Sequence, residues 1–385
     1  MNLLSTSSRR RLAAILTIVG VIALGAGIAG AALGASDDAS KPPRRPLAQA
    51  VLAALSSPPV EGVNARVHFT NNLLPPGSLP KGTKLPLGAS ADGRIWLARD
   101  GRLRLEVHSD AGDAEIAYDG SRVSIYDAGS KTIYRAPLAR TAAPRDGAGS
   151  ALGSIATKLA PLMRVLDVSD AVPSTTAGRP TYTVRVTPKD DGGLLGAAEL
   201  AFDADHGIPL RAAVYQHGED SPVLEVAATD VRYGPVADAD LALRPHPDAK
   251  VVDVARGRPA APTASTASGV DAVRRGAGFP VAAPATVAGL PRRGVHLLRS
   301  GTSSGAVVVY GRGLGTVVVF ETKADGGSAP LSGLRLPEVN VDGRTGTELA
   351  TALGTVLTFE RDGVRYTVAG LVPPVAVENA ARSLR

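Results

Sequence analysis

The chain has 385 residues, with 42 Lys and Arg against 36 Asp and Glu, and no cysteine. The absence of cysteine excludes disulfides, thiolate metal sites, thiol catalysis and a lipid attached to an N-terminal cysteine. Arg9, Arg10, Arg11, Lys41, Arg44 and Arg45 account for the formal net charge of +6, so the rest of the chain is close to neutral, which argues against a nucleic-acid surface.

Residues 12–33 carry no charged side chain and come directly after Arg9–Arg11. At ~1.5 Å per residue a helix of this length spans ~33 Å, the thickness of a bilayer's hydrocarbon core. The three arginines stay on the cytoplasmic side and set an N-in orientation. Residues 1–35 are therefore predicted to be a single-pass anchor in the cell membrane, with an extracytoplasmic body. Ala32-Leu33-Gly34 is also readable as a cleavage site, so a cleaved signal and a secreted body remain open. Residues 36–45 form a polar, Pro-containing spacer.

A short helix is predicted over Leu47–Leu55, stopped by Pro58-Pro59. Strands are predicted at 60–69, 94–98, 102–108, 115–118, 122–126 and 131–135. Asp100-Gly101 and Asp119-Gly120 mark two hairpins. Between the first two strands lies Asn71–Gly88, with four prolines and Leu73, Leu74, Leu79, Leu85 and Leu87. Leucines on a Pro-broken loop cannot form a core stripe. They are candidates for a lid over a cavity mouth or for contact with a bilayer, the alternative being a loop packed on its own domain.

Leu152, Ile155, Leu159, Leu162 and Leu166 recur at steps of 3 and 4 and predict an amphipathic helix, kinked by Pro161. Strands are predicted next at 181–187, 197–203, 210–216, 223–233 and 241–243. They alternate cleanly: Leu103, Leu105 and Val107 point one way, Arg102, Arg104 and Glu106 the other. Such alternation means an antiparallel sheet with one wet face. Two short helical segments are little to cover about ten curved strands, so the pattern allows an apolar cavity or a sealed core. The candidate lining is Leu103, Leu105, Val107, Ile116, Tyr118, Tyr182, Val184, Leu200 and Phe202, with Leu159, Leu162 and Leu166 closing over it. Trp96, the single tryptophan, is out of phase with Ile95 and Leu97; it either rims the cavity or packs under a loop.

Residues 255–279 read as a linker rich in Ala, Pro, Thr, Ser and Gly. They separate a domain over 46–254 from a smaller α+β domain over 280–385. That second domain is predicted to have strands at 295–299, 306–310, 316–322, 355–360 and 364–369, the last two joined as a hairpin by Asp362-Gly363, and helices at 347–353 and 374–384.

No motif carries catalysis. Gly301-Thr-Ser303-Ser-Gly305 has the spacing of a nucleophile elbow, but a strand rather than a helix comes after the serine, so a hydrolase using Ser303 is the weakest reading. Gly311-x-Gly313-x-Gly315 precedes a β-branched run and not the helix that phosphate binding needs. The six histidines are scattered, and Asp203 and Asp205 read as turn carboxylates before a calcium site. No cofactor and no metal is expected.

Gly93-Arg-Ile-Trp96, Gly101-Arg-Leu-Arg-Leu-Glu106, Tyr118-Asp-Gly-Ser-Arg-Val-Ser-Ile-Tyr126, Phe202-Asp-Ala-Asp-His-Gly-Ile-Pro-Leu-Arg211 and Thr229-Asp-Val-Arg-Tyr-Gly234 succeed one another in an order that resembles the LolA-like lipoprotein carriers. Leu290-Pro-Arg-Arg-Gly-Val295, Val309–Phe320 and Asp362–Pro373 resemble the small domain of RseB/MucB proteins. The resemblance implies a LolA-like half-barrel plus a small domain, without catalysis. It further implies binding of an acyl chain, lipid or lipoprotein, or regulation through a membrane-bound protein such as an anti-sigma factor. The anchor and the long Pro-rich insertion depart from a freely shuttling carrier.

Overall fold

A computed structural model of the chain describes residues 41–57, 60–75, 77–78, 88, 90–138, 165–190, 192–245, 247–253, 263–300, 303–324, 331 and 334–384. The predicted anchor lies outside the described residues, as do Leu79, Leu85, Leu87, Leu159 and Leu162. Among the described residues no helix is long and apolar enough to cross a membrane.

The first sheet has 13 strands. In chain order they are β1 (Gly62–Asn71), β2 (Ala91–Ala98), β3 (Leu103–His108), β4 (Ala114–Tyr118), β5 (Arg122–Asp127), β6 (Thr132–Pro137), β7 (Leu166–Val168), β8 (Val172–Thr176), β9 (Arg179–Pro188), β10 (Leu195–Asp203), β11 (Pro209–Gln216), β12 (Pro222–Tyr233) and β13 (Lys250–Asp253). They lie in the order β13-β6-β5-β4-β3-β2-β1-β12-β11-β10-β9-β7, with β8 also on β9. Two meanders are thus joined through β1 and β12. The ladder slips at Arg66/Val67, Ala201/Phe202 and Val214/Tyr215. Each bulge bends its strand and adds twist, so the sheet is curved. The sheet is not wholly antiparallel: β13 pairs parallel with β6, because the chain returns from β12 to the far edge through the short helix α2 (Asp238–Leu241). No strand forms at 241–243: Leu241 ends that helix and is buried beside Trp96 and Ala98, and residues 242–243 lie outside any regular element. A further helix, α1 (Leu47–Ser56), packs Ala50 and Ala54 against Tyr182 and Phe202.

The second sheet comprises β14 (Thr263–Ser268), β15 (Thr286–Val287), β16 (Leu290–Ser300), β17 (Ser303–Tyr310), β18 (Val317–Lys323), β19 (Glu338–Val341), β20 (Arg344–Thr351), β21 (Gly354–Arg361) and β22 (Val364–Gly370). Its order is β14-β16-β17-β18-β22-β21-β20-β19, all antiparallel. Helices α3 (Val270–Ala277) and α4 (Pro374–Arg382) bring Val273, Ala277, Val377, Ala380 and Ala381 into its core.

Two predicted elements change here. Residues 263–278, read as part of a linker, supply β14 and α3, since pairing with β16 recruits a Thr/Ala/Ser run that has no hydrophobic period of its own. The predicted helix at 347–353 is instead part of strand β20. Asp342 and Gly343 both have positive φ, 50° and 81°, as a tight hairpin turn requires. That turn commits residues 344–351 to pairing with β19 and β21, and the pairing overrides local helix propensity.

Candidate ligand-binding face

Register assigns every side chain of the first sheet to one of two faces. Leu103 lies opposite Tyr118, Leu105 opposite Ile116, Val184 opposite Leu200, and Tyr182 opposite Phe202. Through β2, β1, β12 and β11 all nine predicted strand residues fall on the same face. Leu166 lies there too, but as a strand residue opposite Pro188. It is not on a closing helix, because pairing with β9 holds 166–168 extended.

The face is not uniform. Leu105, Val107 and Ile116 are buried in a cluster with Val63, Val67, Phe69, Val123 and Ile125, which makes them core. Tyr182 and Phe202 are sealed beneath α1, with ring centroids 5.9 Å apart. Leu103, Tyr118, Val184 and Leu200 are only half-buried. Two registered rows continue from the last pair across β9 to β12. One is Val184, Leu200, Ala212 and Val226; the other is Val186, Ala198, Val214 and Leu224. None of these eight side chains is fully buried. The β11 and β12 members were absent from the predicted lining, although their alternation is as plain as that of β3.

The opposite face of the same strands is a charged ladder. Glu199 accepts from Arg185 Nη1 at 2.7 Å, Arg211 Nη1 at 2.8 Å and the Tyr215 hydroxyl at 2.7 Å. Arg211 Nε donates to Glu225 at 2.5 Å. Burial raises the Glu199 pKa, but the bonds from Arg211, Tyr215 and Arg185 outweigh it and hold the carboxyl below its ordinary range. Further along this face Trp96 lies between Arg94 and Arg104, at 4.8 and 4.9 Å from its ring centroid, under Val236 and Leu241. Trp96 therefore packs under the 236–241 segment and does not rim the candidate face.

The β10–β11 turn holds the candidate metal ligands. Asp203, fully buried, accepts from the backbone N–H of Asp205 and His206, each at 2.9 Å, from the Tyr233 hydroxyl at 2.7 Å and from Arg179 Nε at 3.2 Å. Burial raises its pKa, yet the His206 Nδ1 contact at 3.2 Å, the Tyr233 hydroxyl and the two backbone N–H groups keep the carboxyl well below the ordinary range. Asp203, Asp205 and His206 offer ligand atoms within 4.8 Å of one another. With both Asp203 oxygens already accepting, the group acts as the clasp of a turn.

The Gly-rich run 311–315 is a contact between the two sheets. Leu194 N–H donates to Leu371 C=O at 2.7 Å. A Cβ on Gly193 would meet Leu314 Cβ at 2.7 Å and Leu371 O at 2.8 Å, and a Cβ on Gly315 would meet Gly192 O at 3.2 Å. The insertion after β1 reaches the second sheet as well: Ala352 N–H donates to Leu73 C=O at 3.1 Å, and Arg335 N–H to Ser78 C=O at 3.2 Å. Leu73 and Leu74 are half-buried there.

No family model matches the chain, and no curated protein matches it. Among solved structures it is similar to MucB in complex with MucA(peri), at 18% identity over 88% of this chain and 96% of that one, with a TM-score of 0.42. It is similar to the Pseudomonas aeruginosa MucA/MucB complex at 20% identity, covering 84% and 93%, also at 0.42. A putative outer membrane lipoprotein-sorting protein domain from Vibrio parahaemolyticus matches at 10% identity, covering 47% and 88%, with a TM-score of 0.14.

Proposed function

We propose that this chain is a non-enzymatic extracytoplasmic protein, anchored by residues 12–33, that binds an acyl chain, lipid or lipoprotein on the apolar face of its first sheet. The observation that carries this reading is the half-covered pair of rows from β9 to β12, apolar on one side and ion-paired on the other. Each methylene that such a face removes from water contributes ~0.8 kcal/mol before the costs of binding. A photo-crosslinkable fatty-acid probe on the full chain tests it. Crosslinks are expected on 184–226, and Leu200→Asp or Val214→Asp should reduce them at least tenfold. Labelling confined to residues 12–33 would exclude an acyl site on the sheet.

A second reading comes from the junction. Backbone bonds at 73, 78 and 194 tie the two sheets together, which suits a protein partner that contacts both, such as a membrane-bound anti-sigma factor. It predicts a protein recovered after crosslinking in cells, whose yield falls when the junction is broken.

A further inference from the structure

The chain enters its first sheet in a fixed way. Tyr182, an almost fully buried residue, donates its hydroxyl to Pro43 C=O at 2.7 Å. Arg45 forms an isolated antiparallel bridge with Ala171, and α1 then packs on Ala171, Tyr182 and Phe202. The entry point is thereby held against β8 and β9. From Leu33, the end of the apolar stretch, to Lys41 is eight residues, which reach at most roughly 29 Å when extended. This edge of the molecule is therefore held close to whatever residues 12–33 occupy.

The surface at that edge has the chemistry of a bilayer contact. A cleft of about 330 Å³ is lined by Arg44, Arg45, Pro46 and Asp170–Pro173. Asp170 is its one carboxylate against two guanidinium groups. Lys41, Arg44 and Arg45 are exposed. Val172 is 53% exposed although it lies in a strand. Lipid phosphates suit the two guanidinium groups, and the headgroup–acyl boundary suits an apolar side chain beside them.

We infer that the edge formed by Lys41, Arg44, Arg45, Val172 and Pro173 docks on the anionic leaflet beside the anchor and fixes the orientation of the first sheet to the membrane. This rests on the anchored reading; it does not require that the sheet bind an acyl chain. Each basic residue at an anionic surface strengthens binding roughly fivefold.

The test compares the full chain in nanodiscs of phosphatidylcholine with nanodiscs containing 30% phosphatidylglycerol. Backbone hydrogen exchange at 41–47 and 168–176 is expected to slow at least about fivefold in the anionic discs. Lys41→Gln/Arg44→Gln/Arg45→Gln should abolish the difference, Val172→Asp should reduce it, and Arg44→Lys/Arg45→Lys should largely keep it. Equal exchange in both discs, or a difference that survives the triple Gln variant, would overturn the docking surface. Slowing by free inorganic phosphate without discs would assign the cleft to soluble phosphate and overturn it too. A chain that fails to enter discs counts against the anchor. Sedimentation with phosphatidylglycerol vesicles then decides the surface separately, and no sedimentation would overturn it.

Discussion

Two buried carboxyls behave in opposite ways, and their surroundings explain why. Asp203 is held ionised by the His206 ring, the Tyr233 hydroxyl and two backbone N–H groups. Its folded pKa is lowered, so its stabilisation is present above the ordinary value of about 3.9 and lost as the pH falls toward the folded one. Asp203→Asn should cost about 2–4 kcal/mol at pH 7 in urea unfolding, and the deficit should shrink at pH 3. Glu321 on β18 is fully buried, accepts one N–H from Ala282 at 2.9 Å, and has no partner for Oε1. Burial is the main cause that pushes its pKa up to about 7, from 4.5. Between those values the folded state holds the extra proton, so stability from this group falls as pH rises through the window. Glu321→Gln should remove that fall. Its stability relative to the parent chain should rise by about 2–3 kcal/mol from pH 5 to pH 8, measured by urea unfolding.

Among the elements, the turns decide more than the propensities. The Asp-Gly turns at 100–101, 119–120 and 362–363 were legible because Gly takes positive φ at no steric cost. The turn at 342–343 has the same chemistry, and it makes 344–351 a strand in spite of the helical spacing of those residues. The hairpin around Gly193 is a different case, because its glycine serves close approach to Leu314 and Leu371 and not a turn conformation. Gly193→Ala should therefore destabilise the junction by about 1–3 kcal/mol and speed amide exchange at Leu194, while leaving exchange in β3–β5 unchanged. Equal exchange at Leu194 in both chains would show that the junction tolerates the methyl group.

Across the whole molecule, the candidate site is one half of one face. Leu105, Val107 and Ile116 were legible as inward-facing, and they are core. Val184 and Leu200 share their pattern and stay half-buried: Val184 packs only at the margin of the cluster that α1 makes with Tyr182 and Phe202, and Leu200 lies outside it. Periodicity reports which side of a strand is apolar and carries no information on what lies across from it. Substitutions should separate the two sets: Leu105→Ala should cost about 2–5 kcal/mol of stability, whereas Leu200→Asp should change probe labelling far more than unfolding. Melting curves read beside crosslinking yields make that comparison.

The sequence by itself determined the alternation of the strands, three of the tight hairpins, the apolar stretch behind Arg9–Arg11, and the near-neutral charge of the chain beyond Arg45. These are local properties, written in periods of two and in single Asp-Gly pairs. The tertiary structure decided the order of 13 strands, the parallel return of β13, the recruitment of 263–278 into the second sheet and the use of Gly311–Gly315 as a contact between sheets. All of these depend on partners far away in the chain, whose pairing free energy exceeds the weak preferences of any short segment.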